Sequence, residues 1–364
     1  MVPRLLAVAA PRHPSRLGAL RRRRALVRPV AGGSSARPSP PGGLVVTWRR
    51  ALESFLRQRL PAADAVRVEA AWHLPRGASN TTLALDLRVE CEGTVSELPC
   101  VLRVQREHGL LAPYDVLREH RVLRALDRAG IPVPRPLWAA PRCDGIEAPF
   151  FLMLRVEGRS LPAFWYPSGG PELEAIAAQL AAIHALDWCR AGLGFLASAD
   201  APRDPLACDL AAWRTRAAAR GLEGHPLLVA LGEVLRRQRP RDLRLALLHG
   251  DPNPGNFLLR GEQVAAVVDW ELAALGDPRS DLGFYAALQT LFFAPPPLPG
   301  VTPLSLAYEG VTGAPLGELA YFEALGLYKL AIVMAGSGGW GGFFTARETI
   351  ERRLCELLGP RWAA

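Results

Sequence analysis

Two short apolar runs, each ending at a polar cluster, constrain this chain more than any other feature. The first run, Leu243–Leu248, is followed within three residues by Asp251, and Asn256 comes five residues later. The second run, Val264–Val268, ends directly at Asp269. Short apolar runs bounded by Gly, Pro and Asp are typical of buried strands. We therefore expect these three polar side chains to lie at strand ends, where a rigid backbone lets them converge on one ligand.

Two carboxylates and an amide in this arrangement favour phosphoryl transfer. One carboxylate can accept the proton of an attacking hydroxyl group. The other can join the amide of Asn256 in holding Mg²⁺, because hard cations prefer oxygen ligands. The sequence therefore predicts a phosphotransferase site at these strand ends.

The formal charge of +8 is concentrated at the N-terminus. Residues 1–50 contain eleven Arg and no acidic residue, whereas 32 basic and 35 acidic residues follow them. The body of the chain is therefore slightly acidic, which removes the main support for a nucleic-acid-binding surface. With 364 residues, 49% of them hydrophobic, the chain is long enough to bury cores in two lobes.

The first 43 residues form a basic leader. They are rich in Arg, Ala, Pro, Ser and Gly and lack the clear apolar core of a secretory signal. We interpret them as a disordered extension or a mitochondrial transit peptide, and a start codon placed too early is a third alternative. The expected location is the cytoplasm, or the mitochondrial matrix if the leader is a transit peptide.

Several function classes lack the residues that they need. Lys329 is the single lysine, so no Gly-Lys-Ser/Thr triplet of a Walker A loop exists. Six scattered cysteines without a C-x-x-C pair favour reduced thiols over a disulfide framework or a zinc site. No apolar run reaches the ~18 residues needed to span a membrane. A G-x-G-x-x-G match at 336–341 follows a helical pattern, so it does not indicate a dinucleotide site.

A β-rich block precedes the helical part of the chain. Residues 65–104 have the alternation and turns of an antiparallel meander, and the apolar spacing over 112–129 predicts a helix. Glu119 lies on the buried stripe of that helix, where a carboxylate needs a partner. Arg103 in the preceding strand is the candidate partner. The alternative is that Glu119 lies at the edge of the stripe and contacts only water.

The composition changes after a further predicted strand at 149–156. The sequence that follows is Ala- and Leu-rich and largely helical, with a Pro-rich loop at 293–303. Helices are predicted at 44–60, 171–187, 206–220, 225–238, 281–292, 316–335 and 345–358. We predict an α+β, bilobal protein with a small β-rich N-lobe, residues 44–156, and a larger, mainly helical C-lobe, residues 157–364.

The polar clusters carry a family resemblance. HGDPNPGN, residues 249–256, resembles the catalytic loop of the aminoglycoside phosphotransferase and choline kinase-like families, which have a protein-kinase-like fold. VVDWELAALGDPRSDLG, residues 267–283, resembles the segment that follows that loop. The match is closest to the phosphotransferase domains associated with acyl-CoA dehydrogenases. The ordered set of Asp-x₄-Asn, a hairpin, Asp and Gly-Asp-Pro-x-x-Asp is rarely met by chance.

The resemblance implies a role for each polar residue of the loop. Asp251 matches the catalytic base that orients the substrate hydroxyl, and Asn256 and Asp269 match the metal ligands. Asp281 and His249 match residues that support the loop. A further histidine, His184, is expected to be packed and hydrogen-bonded rather than catalytic.

The resemblance also implies that the N-lobe binds the nucleotide. The matching residues are Gly77, Ser79 and Asn80 in a phosphate-covering turn, Arg103 with Glu119 as a cation–carboxylate pair, and Leu154 and Val156 at an inter-lobe hinge beside adenine. Better-known kinases have Lys where this chain has Arg, and Arg differs in bulk and geometry. The alignment of the phosphates is the property that this difference affects.

The expected function is an ATP- and Mg²⁺-dependent O-phosphotransferase that acts on a small molecule. No acid lies between Asp281 and Glu309, which favours an apolar acceptor such as a hydroxyacyl-CoA over an aminoglycoside or a choline-like amino alcohol. A pseudokinase that acts as a nucleotide-binding scaffold is the rival from another class, and a protein kinase lacks its expected motifs. Neither nucleic acid nor a membrane is an expected partner, and the oligomeric state stays open.

Overall fold

The computed structural model describes residues 45–74, 79–109, 111–162, 168–198, 200, 204–335 and 344–359. The predicted leader, Gly77 of the phosphate turn and the glycine match at 336–341 lie outside the described residues. Within the described ranges, no helix is long and apolar enough to cross a membrane.

The N-terminal part is an antiparallel five-stranded sheet with the strand order β1-β2-β3-β5-β4. Its strands are β1 (Ala65–His73), β2 (Thr81–Cys91), β3 (Thr94–Val104), β4 (Pro136–Ala140) and β5 (Phe150–Leu154), and its helices are α1 (Val45–Arg59) and α2 (Val116–Ala129). Alternate residues of β3 face opposite sides, as a strand requires. Cys100 and Leu102 join the core beneath α1, whereas Val101 joins the core that α2 covers. Arg103 has the same parity as Val101, so it points toward α2.

Among the described residues, the C-terminal part is mainly helical and includes two small sheets. Its elements are β6 (Arg159–Ser160), α3 (Pro171–His184), α4 (Pro205–Ala218), α5 (Pro226–Arg237), β7 (Ala246–Leu248), β8 (Phe257–Arg260), β9 (Gln263–Val267), β10 (Ala274–Gly276), α6 (Arg279–Phe292), α7 (Pro303–Thr312), α8 (Leu319–Ala335) and α9 (Phe344–Leu358). Strands β6, β8 and β9 form one sheet, and β7 pairs with β10 in the other.

Helices α6 and α8 form the centre of the C-terminal part. They approach each other so closely that a Cβ atom added to Gly283 would lie 2.1 Å from the carbonyl oxygen of Phe322. A Cβ added to Gly326 would lie 2.6 Å from the carbonyl oxygen of Gly283. Only glycine permits this contact, which fixes α6 and therefore the start of that helix beneath the β7–β8 loop.

The α+β, bilobal, kinase-like architecture predicted from the sequence is confirmed. The lobe boundary between residues 156 and 157 stays a prediction. One predicted boundary was wrong, and two elements were not predicted. The predicted helix over 112–129 begins only at Val116, because Asp115 caps it. Strand β4, which precedes the predicted strand at 149–156, was missed. A helix that we did not predict, α7, follows the Pro-rich loop and begins at a capping box formed by Thr302 and Ser305.

Candidate active site

Asp251, Asn256 and Asp269 converge at one corner, as predicted. The Nδ2 atom of Asn256 donates hydrogen bonds to the backbone oxygen of Asp251 (2.9 Å) and to its carboxylate Oδ2 (3.2 Å). The N–H of Val268 donates to the carbonyl of Asn256 at 2.9 Å. The β8–β9 hairpin therefore brings Asp269 beside Asn256, although the two apolar runs that precede Asp251 and Asp269 belong to different sheets.

Asp269 has an unusual backbone conformation. Its φ of 68° and ψ of 61° lie in the left-handed region, which non-glycine residues adopt rarely and at a cost. The residue ends the hairpin and begins a short 3₁₀ turn, Trp270–Leu272. About a third of its carboxylate side chain (34%) is exposed. The strained backbone therefore holds a partly open carboxylate at the edge of the corner.

His249 connects the parts of this corner. Its Nε2 lies 3.0 Å from the carbonyl oxygen of Val268, and the N–H of Asp251 donates to its Nδ1 at 3.2 Å. These partners require the neutral tautomer with the proton on Nε2. Burial lowers the pKa of the imidazole further, although nearby carboxylates oppose this. The fully buried ring packs against Trp270, so His249 supports the loop and cannot reach a substrate.

Asp281, in the first turn of α6, forms the foundation of the loop. Its two oxygens accept hydrogen bonds from the N–H groups of His249 (2.8 Å) and Gly250 (2.9 Å). The Nε2 of His184 lies 3.0 Å from Oδ2, and the hydroxyl of Tyr308 lies 2.9 Å from the other ring nitrogen. His184 is therefore packed and hydrogen-bonded, as expected.

Gly250 is required at the bend of the loop. Its φ is 90°, and a Cβ atom at this position would lie 2.4 Å from the carbonyl oxygen of Leu272. The loop that carries Asp251 therefore packs directly against the turn that follows Asp269. Glycine is the residue that meets both requirements, positive φ and close backbone approach.

The predicted pair of Arg103 and Glu119 is confirmed. Arg103 Nε lies 3.1 Å from Glu119 Oε2, and both side chains are almost completely buried. The alternative, in which Glu119 contacts only water, is therefore wrong. Arg103 Nη2 also lies 3.4 Å from Asp269 Oδ1. Burial lowers the pKa of Arg103, but three carboxylates outweigh it and raise that pKa well above its ordinary value.

A residue that the sequence analysis missed, Glu271, completes this cluster. Its Oε2 accepts hydrogen bonds from Asn80 Nδ2 (3.1 Å) and Arg103 Nη2 (3.2 Å), and the side chain of Ser79 also contacts it. The available signal was a second acid two residues after Asp269. Burial and then the Asp269 carboxylate raise the pKa of Glu271. Ser79 and Asn80 of the predicted phosphate turn therefore reach the same cluster as Arg103.

The predicted hinge is not joined to this cluster by any hydrogen bond among the described residues. Leu154 ends β5, and its N–H donates to the carbonyl of Arg135 at 2.9 Å. That donor is therefore used inside the sheet. Val156 follows on the chain segment that leads to the C-terminal part.

The electrostatics of the corner distinguish its carboxylates. Burial, and after it the charge of Asp269, raises the pKa of Asp251 to about 7, although Asn256 donates a hydrogen bond to it. Burial also opposes ionisation of Asp281, but its hydrogen bonds from His184 and Gly250 outweigh burial and lower its pKa. A carboxylate with a raised pKa beside an open edge suits general base chemistry.

The donor set at the corner fits Mg²⁺. Among the described residues, no group of three or more His, Cys, Asp or Glu side chains is placed to hold a metal ion. Mg²⁺ bound to a nucleotide, however, needs only one or two protein ligands, because phosphates and waters complete its shell. The amide of Asn256 directs its nitrogen to Asp251, which leaves its oxygen as the available ligand beside the carboxylate of Asp269.

Known proteins resemble this chain in sequence. The model of the APH family, described as the phosphotransferase enzyme family, matches residues 73–302. Acyl-CoA dehydrogenase family member 11 of Rattus norvegicus is 30% identical over 317 residues, which cover 79% of this chain and 39% of that protein. Family member 10 of Mus musculus is 29% identical over 243 residues, which cover 64% of this chain and 22% of that protein. The chain thus spans well under half the length of these relatives.

Solved structures resemble it in fold. A protein of Ralstonia eutropha assigned to the aminoglycoside phosphotransferases has a TM-score of 0.60 at 23% identity, over 86% of this chain and 97% of that chain. A macrolide 2′-phosphotransferase of Brachybacterium faecium has a TM-score of 0.51 at 21% identity, over 85% and 98%. The family match covers the whole corner described above. The chain therefore belongs to the APH phosphotransferase enzyme family.

Proposed function

We propose that the chain is an ATP- and Mg²⁺-dependent O-phosphotransferase whose acceptor is an apolar small molecule with a hydroxyl group. The observation that carries the proposal is the convergence of Asp251, Asn256 and Asp269 at one corner, opposite the buried pair of Arg103 and Glu119. This is the charge arrangement that phosphoryl transfer requires, because the protein supplies positioning and electrostatic stabilisation rather than covalent chemistry.

Each residue has a separate task in the proposed reaction. The carboxylate of Asp251 orients the acceptor hydroxyl and accepts its proton. The oxygens of Asn256 and Asp269 would hold Mg²⁺, which when bound neutralises charge on the phosphate oxygens. Arg103, oriented by Glu119, donates to the phosphates.

Two further contacts are proposed for the nucleotide. Ser79 and Asn80, with Gly77, would cover the phosphates with small residues whose backbone permits close approach. The base would lie against the segment around Leu154 and Val156. The intact set of Asp251, Asn256 and Asp269 supports turnover over a pseudokinase.

The apolar acceptor is supported by the sequence after the site and by the relatives. No acid lies between Asp281 and Glu309, so this segment provides no carboxylate that would attract a cationic acceptor. The relatives that cover most of this chain are named as members of an acyl-CoA dehydrogenase family. A hydroxyacyl-CoA is therefore the acceptor that we propose, ahead of an aminoglycoside or a choline-like amino alcohol.

An acceptor screen tests this proposal. The full chain is incubated with ATP, with and without Mg²⁺, and with hydroxyacyl thioesters, an aminoglycoside or choline, and ADP release and the phosphorylated product are measured. We expect Mg²⁺-dependent product from the thioesters and none from Asp251→Ala. Product from the aminoglycoside alone would contradict the acceptor. ATP binding without product from any acceptor would favour the pseudokinase.

A further inference from the structure

Glu271 is placed where two parts of the protein meet. It lies in the Trp270–Leu272 turn, directly after the metal-side residue Asp269. Its side chain is only 10% exposed, and its carboxylate is held entirely by the N-terminal part of the chain among the contacts described above. Arg118 of α2 also donates to its backbone oxygen at 3.4 Å. Hydrogen bonds to both its side chain and its backbone therefore fix the position of Glu271.

The partners of Glu271 are the groups proposed to bind phosphate. Asn80 Nδ2 and Arg103 Nη2 donate to the same atom, Oε2, at 3.1 and 3.2 Å, and the side chain of Ser79 adds a third hydrogen bond. A carboxylate oxygen is an anionic acceptor like a phosphate oxygen. Glu271 and the nucleotide phosphates therefore require the same donors.

The charges around these donors determine whether metal-free or metal-bound nucleotide is favoured in that competition. Arg103 faces three carboxylates, those of Glu119, Asp269 and Glu271, at 3.1 to 3.4 Å. Arg118 and Arg216 lie nearby, but among the described residues Arg103 is the cation that forms ion pairs with these three side chains. When the acids are ionised they outnumber that paired cation, so a further polyanion that enters this region without a counterion meets repulsion. A nucleotide that brings a divalent cation adds positive charge beside Asp269 and removes this penalty.

We propose that Glu271 is a specificity-determining residue that restricts the nucleotide site to the metal-bound form of ATP. Its carboxylate competes with the phosphates of metal-free ATP for Ser79, Asn80 and Arg103 and repels their charge. The proposal rests on the nucleotide site of the proposed function. A purely structural Glu271, which only joined the two parts of the protein, would affect stability and leave this selectivity unchanged.

The test is a binding measurement that does not depend on turnover. The dissociation constant of ATP is measured by calorimetry in EDTA and in Mg²⁺ for the wild type, for Glu271→Gln and for Glu262→Gln. Glu262 is exposed in the β8–β9 turn, so its substitution removes the same charge away from the site. We expect Glu271→Gln to tighten the binding of metal-free ATP by on the order of tenfold, the effect of one nearby charge. Glu262→Gln should match the wild type.

Three results would overturn the inference. Metal-free binding that is unchanged or weaker in Glu271→Gln, while Mg²⁺-ATP still binds, overturns the role of Glu271 alone. An equal gain in Glu262→Gln assigns the effect to overall charge and overturns it as well. A folded wild type that binds ATP under neither condition overturns the nucleotide site and this inference together. Glu271→Asn, which withdraws the side chain from the donors, provides a second uncharged variant if Glu271→Gln does not fold.

Discussion

Asp251 and Asp281 belong to the same loop system, and burial raises the pKa of both, yet the two carboxyl groups end with opposite pKa shifts. Asp281 is 1% exposed, and its oxygens receive hydrogen bonds from two backbone N–H groups and from His184, so its pKa is lowered. For Asp251, burial and after it the charge of Asp269 outweigh the hydrogen bond from Asn256, so its pKa is raised to about 7. Hydrogen-bond donors at both oxygens keep Asp281 ionised, and it supports the loop. Asp251 accepts fewer hydrogen bonds, which leaves it able to take a proton.

The largest effect is expected from Asp251→Asn. The variant keeps the shape of the side chain but cannot accept a proton, so we expect turnover to fall by about 10³-fold or more, within the range of general base catalysis. ATP binding should change little. Product formation and ATP binding are measured beside Asp127→Asn, an exposed substitution at the end of α2. Turnover within tenfold of the wild type would remove Asp251 from the chemistry.

Substitution of Asp281, which supports the loop, should instead lower the stability of the fold. Asp281→Asn presents an amide to N–H donors that need an acceptor, and it leaves buried groups unpaired. We expect a loss of about 2–4 kcal/mol in the free energy of unfolding, measured by urea denaturation beside Asp127→Asn. If Asp281→Asn were as stable as that control, the hydrogen bonds to His249 and Gly250 would not support the loop.

The two aspartates should also differ in how stability depends on pH. The folded-state pKa of Asp251, about 7, exceeds the unfolded value of about 3.9, so between them the folded state binds more protons and stability falls as pH rises. Asp251→Asn removes the free-energy cost of ionising this carboxyl group in the folded protein. In EDTA and above pH ~7 we expect it to be more stable than the wild type by about 1–2 kcal/mol, since the side chain is partly solvated. The gain should vanish toward pH ~4.

For Asp281 the sign is reversed. Its folded-state pKa lies below the unfolded value, so its stabilisation is present above the unfolded pKa and is lost only as pH falls through the folded one. The deficit of Asp281→Asn should therefore persist at neutral and alkaline pH. Thermal unfolding of both variants across pH checks these signs. If both variants differed in stability from the wild type with the same sign at alkaline pH, the distinction between a supporting Asp281 and a proton-accepting Asp251 would be contradicted.

The sequence predicted the parts of this site that depend on local pattern. Strand ends placed Asp251, Asn256 and Asp269, and the helical stripe placed Glu119 opposite Arg103. Glu271 was missed because its partner Asn80 is 191 residues away and the Trp270–Leu272 turn has no periodicity. Pairing between strands distant in sequence was also hidden, since three-residue strands such as β7 and β10 carry too little pattern.

The smallest effect is expected from Tyr308→Phe, because Tyr308 contacts Asp281 through His184. The variant removes the hydroxyl that lies 2.9 Å from His184 Nδ1, while the ring still packs against the imidazole. We expect a loss of about 1 kcal/mol in the free energy of unfolding, typical of one buried hydrogen bond, and turnover within a few-fold of the wild type. Tyr321→Phe, which removes a hydrogen bond to the carbonyl of Leu235 away from the loop, is the matched control. A fall in turnover as large as that of Asp251→Asn would mean that the hydrogen-bonded residues Tyr308, His184 and Asp281 take part in the chemistry. The supporting role of Asp281 would then not be separable from the catalytic role of Asp251.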